Sequence, residues 1–328
     1  MLTIRFLLPL KQQAATCLYF IMVDMFFCLN FVPCLSYNYL ILKVFRNFKN
    51  LVLKFGLFLI LKDKKMEFKK NKNNDKLKIR RGDCMPKNIY VLSDLHGHYD
   101  IFIKMLKKIK FCQDDILYIL GDCCDRGPDS LKIYLYIQKF KNMHLIKGNH
   151  EIMMRDAFKV DDPASSQRRM WFQNGGNKTC TSYHQYLHKK AFDEYDYKVL
   201  KAAFYKMMIE YIDSCPSFIE INCNDQDYVL IHAGINPEKG LYEQTEEECA
   251  WMREYFFMSK GLDDKIIIFG HTPTCYIRQN SDCFDVWYDP VFKDKIGIDG
   301  GLGPFENGQL NCICLNTMEV FVIKKSEL

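Results

Sequence analysis

Three short segments in the first half of the chain limit its fold more than any other feature. They are Asp94-Leu95-His96-Gly97, Gly121-Asp122-Cys123-Cys124-Asp125-Arg126-Gly127 and Gly148-Asn149-His150-Glu151. Each follows a short apolar run: Ile89-Tyr90-Val91-Leu92, Ile116-Leu117-Tyr118-Ile119-Leu120 and Met143-His144-Leu145-Ile146. Each also precedes a stretch with helical spacing. In the first such helix, Tyr99 to Lys110, Ile101, Met105, Leu106 and Ile109 share a face; in the second, Asp129 to Phe140, Leu131, Tyr134, Leu135 and Ile137 point inward. Asp, His, Asp and Asn therefore stand at the C-terminal ends of successive strands, the edge where an open α/β sheet places its ligands. Hard oxygen and imidazole ligands converging at one edge suit a two-metal hydrolytic site.

The second half changes character. A helix follows Glu151, residues 161–185 read as polar and irregular, and residues 189–212 read as helical. Asp227 to His232, Ile266 to Phe269 and Gln309 to Ile323 read as strands with Gly-rich loops between them. Early β-α alternation followed by strand-rich sequence predicts an α/β fold: a four-layer α/β/β/α sandwich of two mixed sheets flanked by helices. His232 in Ile231-His232-Ala233-Gly234 and His271 in Gly270-His271-Thr272 stand at two later strand ends. The expected ligand sets are Asp94, His96 and Asp122 for one metal, and Asp122, Asn149, His232 and His271 for the other. Asp122 bridges through its two oxygens.

Charge divides the chain. Residues 1–84 hold 16 basic against 5 acidic residues, leaving 29 basic against 35 acidic in residues 85–328. The part with the motifs is mildly acidic and has no basic stripe, which argues against nucleic acid as a partner. Residues 1–61 are apolar and aromatic, and residues 62–82 are rich in Lys and Asn. The longest uncharged run, Met25 to Leu42, contains Asn30, Pro33, Ser36 and Asn38, which makes it polar for a membrane span. Three readings are open for this leader: a membrane anchor with a basic flank, a disordered leader, or upstream DNA read in frame. The last is the expectation, because Met85-Pro86-Lys87-Asn88 runs straight into the first strand and Arg80-Arg81-Gly82 can be encoded by a purine-rich ribosome-binding sequence. Residues 85–328 then form one catalytic domain. Fifteen Cys without a CxxC pair suit free thiols in a reducing cytoplasm.

Taken together, Ser93-Asp94-Leu95-His96-Gly97, Gly121 to Gly127, Gly148 to Glu151, His232-Ala233-Gly234 and Gly270-His271 resemble the motif series of the calcineurin-like metallophosphoesterases, in particular the bacterial serine/threonine phosphoprotein phosphatases. The resemblance runs from about Pro86 to Ile323 and is weakest across 155–225. Ser93 stands where the family has its first Gly. Gly297-Ile298-Asp299-Gly300-Gly301 occupies the region of the eukaryotic enzymes' SAPNYC segment. The resemblance implies hydrolysis of phosphomonoesters, foremost phosphoserine or phosphothreonine in proteins, by in-line attack of a hydroxide bridging two divalent metals. Mn is the expected activator, with Fe or Zn as alternatives. It implies His150 as general acid oriented by Asp125, and Arg126 and Arg253 as phosphate clamps. A diadenosine tetraphosphatase-like activity is the close alternative, with phosphorylated small molecules as substrates. A metal-binding adaptor is the non-enzymatic one.

Other candidates carry less. His98, His184 and His188 read as surface or packing residues, His144 as structural, and Cys123 and Cys124 as bystanders. Asp299 either orients a metal-bound imidazole or serves a turn. Arg168 and Arg169 read as a solvated loop, and Gly175-Gly176 as a turn.

Overall fold

Strand formation follows the apolar runs. A computed structural model describes residues 87–327; the leader and its three readings lie outside the described residues. Ten strands run in chain order: β1 (Ile89–Leu92), β2 (Ile116–Ile119), β3 (Met143–Leu145), β4 (Phe218–Cys223), β5 (Gln226–Ile231), β6 (Lys265–Phe269), β7 (Trp287–Tyr288), β8 (Lys295–Gly297), β9 (Gln309–Cys314) and β10 (Glu319–Lys324). They form two five-stranded mixed sheets, ordered β10-β9-β1-β2-β3 and β4-β5-β6-β8-β7. β1, β2 and β3 are parallel, as are β5, β6 and β8; β9, β10, β4 and β7 each pair antiparallel to a neighbour.

Alternation along each strand builds the layers. Ile89, Val91, Tyr118, Leu120 and Ile146 from the first sheet meet Tyr228, Leu230, Ile268, Ile296 and Ile298 from the second in a shared core. The opposite faces carry Tyr90, Leu92, Leu117 and Ile119 on one side, and Val229, Ile231, Ile267 and Phe269 on the other. Helices cover both. On the first sheet lie α1 (Tyr99–Lys108), α2 (Ser130–Ile137), α3 (Asn149–Lys159), α4 (Ser166–Gln173), α5 (Gly176–His188) and α6 (Glu194–Ser214). On the second lie α7 (Glu246–Trp251), α8 (Glu254–Met258) and α9 (Thr274–Ile277). This is the expected four-layer α/β/β/α sandwich. Strands apolar on both faces are what a sheet buried on both sides requires.

Three local expectations change. Residues 161–185 are not irregular: Ser165 caps α4 by accepting the Arg168 N–H, and Gly175 turns the chain into α5. The apolar signal there is sparse, because only Trp171 is buried on α4 and Thr179, Tyr183 and Leu187 at four-residue spacing on α5. The segment from Gln309 to Ile323 is two strands joined by a turn, with Met318 at φ 57°. β4 was not anticipated, since this edge strand keeps most of its residues only half-buried.

Candidate metal centre

The ends of five parallel strands deliver the motif residues to one place. Asp94 and His96 follow β1, Asp122 follows β2, Asn149 and His150 begin α3 after β3, His232 follows β5, and His271 follows β6. Their backbones are bent to do so. Asp94, His96, Asp122, Asp125, Arg126 and His271 all have φ between 40° and 71°, a left-handed conformation costing about 1–2 kcal/mol for each such residue. Cross-loop hydrogen bonds hold them there: His96 N–H to the Asp122 carbonyl (2.8 Å), Gly97 N–H to the Cys123 carbonyl (3.0 Å) and Gly270 N–H to the His232 carbonyl (2.7 Å). Two glycines wall the carboxylates. A Cβ on Gly148 would sit 2.3 Å from Asp122 Oδ1, and one on Gly270 2.3 Å from Asp94 Oδ2.

Two groups of ligating atoms form. Those of His96, Asp122 and His150 lie within 4.8 Å of one another, as do those of Asp122, His232 and His271. Asp122 belongs to both: Oδ1 faces His232 Nε2 (3.4 Å), while Oδ2 faces His96 Nε2 (3.7 Å) and His150 Nε2 (3.8 Å). Asn149 joins the second group, its Oδ1 lying 2.9 Å from His232 Nε2 and 3.0 Å from His271 Nδ1. Asp94 stands slightly apart, its carboxylate turned to the His271 N–H (3.0 and 3.3 Å). So five of the six expected ligands lie in the two groups, and Asp94 borders them.

Proton accounting shows what such an arrangement lacks. His232 Nδ1 donates to the Leu120 carbonyl (2.6 Å), and His96 Nδ1 to the Cys124 carbonyl (2.9 Å). Burial drives the His232 imidazole down to about 3 and those of His96 and His271 well below the usual histidine range. A neutral imidazole whose Nδ1 carries the hydrogen presents a lone pair at Nε2. His232 Nε2 thus points a lone pair at the Asn149 carbonyl oxygen and towards an Asp122 oxygen. Burial, with Asp299 for Asp94 and with Asp94 and Glu151 for Asp122, pushes both carboxyls well above the usual range. Converging lone pairs and mutually repelling carboxylates fit divalent cations, which remove both penalties at once.

Around these groups stand the residues expected to handle phosphate and proton. His150 Nδ1 donates to Asp125 Oδ2 (2.6 Å). The Arg126 guanidinium spans two imidazoles, giving Nη1 to His96 Nε2 (2.7 Å) and Nη2 to His150 Nε2 (3.1 Å). Arg253 is exposed and donates to the Thr272 hydroxyl (3.1 Å), beside His271. The loop after β8 closes over this edge, so that a Cβ on Gly303 would meet His96 Cδ2 at 2.2 Å. Asp299 Oδ1 accepts the Gly301 N–H (2.8 Å), a turn role, and burial raises its carboxyl to about 6.

Sequence reading did not anticipate Glu151, Trp171 and Thr179 as parts of the site. The buried Glu151 accepts from the backbone N–H groups of Asp122, Cys123 and Gly148 and from the Tyr134 hydroxyl. Trp171 and Thr179 donate to Asp125. Among the remaining candidates, Arg168 and Arg169 bind the Val160 and Ala164 carbonyls, His144 stacks on Tyr118, and His184 and His188 stack with Tyr197. Cys123 and Cys124 are buried thiols whose pKa burial pushes well up, the unreactive state.

Comparison with known proteins agrees with this geometry. The pattern defining the calcineurin-like phosphoesterases matches residues 87–287, and the chain belongs to that family. It is a metal-dependent phosphoric ester hydrolase by class. It is 28% identical over 209 residues to serine/threonine-protein phosphatase 1 of Salmonella typhimurium, covering 62% of this chain and 85% of that one. It is 29% identical over 187 residues to the symmetrical bis(5'-nucleosyl)-tetraphosphatase of Buchnera aphidicola, covering 55% of this chain and 58% of that one. Among solved structures, a provisionally assigned diadenosine tetraphosphatase superposes with a TM-score of 0.50 at 16% identity, over 73% of this chain and 94% of that chain, a likeness of fold.

Proposed function

We propose that this protein is a dinuclear metal-dependent phosphatase that hydrolyses phosphomonoesters, foremost phosphoserine and phosphothreonine in proteins. The observation that carries the reading is the convergence of the Asn149 oxygen, the His232 and His271 nitrogens and both Asp122 oxygens in one buried cluster. Asp94, His96 and Asp122 would hold one cation and Asp122, Asn149, His232 and His271 the second. Bound there, two divalent ions, Mn in the first instance with Fe or Zn as alternatives, lower the pKa of water towards 7 and draw charge from the phosphoryl group. With His96 Nε2 committed to a cation, the Arg126 fork is free to take two phosphoryl oxygens. Arg253, anchored on Thr272, supplies a second positive group at the rim. A solvent oxygen adds to phosphorus opposite the departing oxygen. With Arg126 turned to the phosphoryl group, His150 Nε2 would be free to hold a second ring proton; as the bond to the departing oxygen breaks, that oxygen's electron pair would take this proton, leaving a neutral ring whose Nδ1–H stays on Asp125.

The tetraphosphatase alternative rests on the nucleotide-hydrolysing relatives. Parallel assays of the manganese-loaded protein on a phosphoserine peptide and on diadenosine tetraphosphate separate the two. Turnover of the peptide is expected; robust turnover of the dinucleotide alone would replace the first reading with the second. Asp122→Asn removes a bridging oxygen and should abolish turnover of either, and unchanged activity would refute the bridging assignment.

Residues 85–328 are taken as the catalytic domain. Among the described residues no helix is long and apolar enough to cross a membrane. All eleven described cysteines are free thiols, the state that suits a reducing, cytoplasmic site of action.

A further inference from the structure

Asp125 is wholly buried, and its carboxylate is saturated by donors that come mostly from far along the chain. Oδ1 accepts the Thr179 hydroxyl (2.7 Å) and the Trp171 indole N–H (3.0 Å); Oδ2 accepts His150 Nδ1–H (2.6 Å) and the same indole N–H (3.0 Å). Thr179 grips the residue twice. Its single hydrogen goes to Oδ1, and its oxygen accepts the Asp125 backbone N–H (2.8 Å) and contacts Ser130 Oγ (3.0 Å). Both donors belong to the α4–α5 hairpin, and the hairpin is shaped to present them. A Cβ on Gly176 would lie 2.5 Å from Trp171 Cδ2, so only glycine leaves room for the indole. At φ +100°, Gly175 bends its carbonyl to the Arg126 N–H (3.3 Å). The pair of glycines that reads in sequence as a plain turn thus touches two neighbouring residues of the site, Arg126 directly and Asp125 through Trp171.

We propose that Trp171 and Thr179 are positioning residues for proton transfer, acting through Asp125 to fix the His150 ring against the leaving oxygen. The proposal rests on reading His150 as the general acid. The physical reason is geometric. A buried carboxylate with one donor can turn about its Cβ–Cγ bond to find others, and its hydrogen-bonded imidazole turns with it. Four hydrogen bonds from three side chains on three elements leave no such freedom. A displacement of the imidazole of the order of 1 Å costs about 100-fold in rate, and the whole of general acid catalysis is worth about 100- to 10,000-fold.

The test uses manganese-loaded full-length protein and a series of aryl phosphates from p-nitrophenyl to unsubstituted phenyl. A nitrophenolate departs without a proton, whereas phenolate departs poorly unless one is supplied. Trp171→Phe, which keeps the ring and deletes the N–H, should lose about tenfold or more in kcat on phenyl phosphate and at most about twofold on p-nitrophenyl phosphate, with KM unchanged. Thr179→Val should behave likewise, and Thr179→Ser should restore the wild-type pattern. His150→Asn is the reference. If it shows the same leaving-group dependence while Trp171→Phe and Thr179→Val slow all esters equally, or none, the positioning role is wrong and the acid stands. If His150→Asn itself slows all esters equally, the acid assignment fails first and takes the proposal with it. Should Trp171→Phe fold poorly, the Val and Ser variants at Thr179, close in volume to the native residue, decide the matter.

Discussion

Glu151→Gln is a one-atom exchange whose cost can be worked from hydrogen positions. Glu151 Oε2 accepts the Asp122 N–H (2.8 Å) and the Gly148 N–H (2.9 Å), while Oε1 accepts the Cys123 N–H (2.8 Å) and the Tyr134 O–H (2.7 Å). The amide must put its NH2 group on one side. On the Oε2 side it would face two backbone donors, so it takes the Oε1 side. There the Tyr134 hydroxyl can rotate and accept, but the Cys123 N–H cannot. One buried donor is left opposing another, a cost of about 1–3 kcal/mol. The two bonds on the Oε2 side persist without charge assistance, which roughly halves them and adds about 1–2 kcal/mol. The expected destabilisation is about 2–5 kcal/mol, a large share of the roughly 5–15 kcal/mol that domains possess. It would lower Tm by about 10 °C in a domain of this size. Urea unfolding should show a reduced midpoint with an unchanged slope. The Asp122 backbone would loosen with it, so turnover should fall even where the variant is folded. A stability change below about 0.5 kcal/mol would refute the view that this carboxylate braces the loop carrying Asp122.

Gly148→Ala should reduce turnover by about 100-fold or more, because the added methyl meets Asp122 Oδ1 at 2.3 Å and His232 Cε1 at 2.9 Å and site geometry is unforgiving at that scale; steady-state kinetics on p-nitrophenyl phosphate checks it. Removal of metal by a chelator should abolish turnover and lower Tm, with both recovering on adding manganese, as binding to the native state alone requires; an unchanged Tm would count against the two-cation reading. Glu246→Gln should destabilise the protein at pH 7. Burial opposes the ionised carboxyl, but hydrogen bonds from Arg155 and Lys147 carry Glu246 down to about 2. A carboxylate with a depressed folded-state pKa contributes stability above its unfolded value near 4.5 and loses it as pH falls towards 2. At one-third exposure solvent screening limits the effect to about 1–2 kcal/mol, so the gap from wild type should be present at pH 7 and close between pH 4.5 and 2 in urea titrations.

The legible parts of this molecule are those in which one residue type serves one local need. The positions of Asp94, His96, Asp122, Asn149, His232 and His271 at strand ends could be read directly, because an apolar run that stops at an Asp, Asn or His beside a glycine marks where a strand gives way to a loop. Two packed sheets followed from the early β-α alternation and the strand-rich second half, although β4, β7 and β8 of the second sheet were not read in advance; within the first sheet, neighbours such as Tyr90 and Val91 point to different cores. The α4–α5 hairpin was illegible for the converse reason. Its outer surface mixes polar residues with exposed Met170, Phe172 and Tyr186, which blurs any apolar period, its buried residues are few, and the roles of Trp171 and Thr179 exist only once a residue 46 or 54 positions earlier has been brought beneath them. Glu151 shows an intermediate case: part of its role is local, since it bonds Gly148 N–H three residues back at the start of α3. What sequence spacing does not reveal is that the same carboxylate also reaches the backbone following β2. A side chain that completes a local turn and a distant loop at once is constrained twice, and only the local half of that constraint leaves a periodic mark. The same logic explains the six left-handed residues at the site: Asp and His tolerate positive φ better than most side chains, but local spacing does not mark these positions, and they persist because the cross-loop bonds require the backbone to bend there.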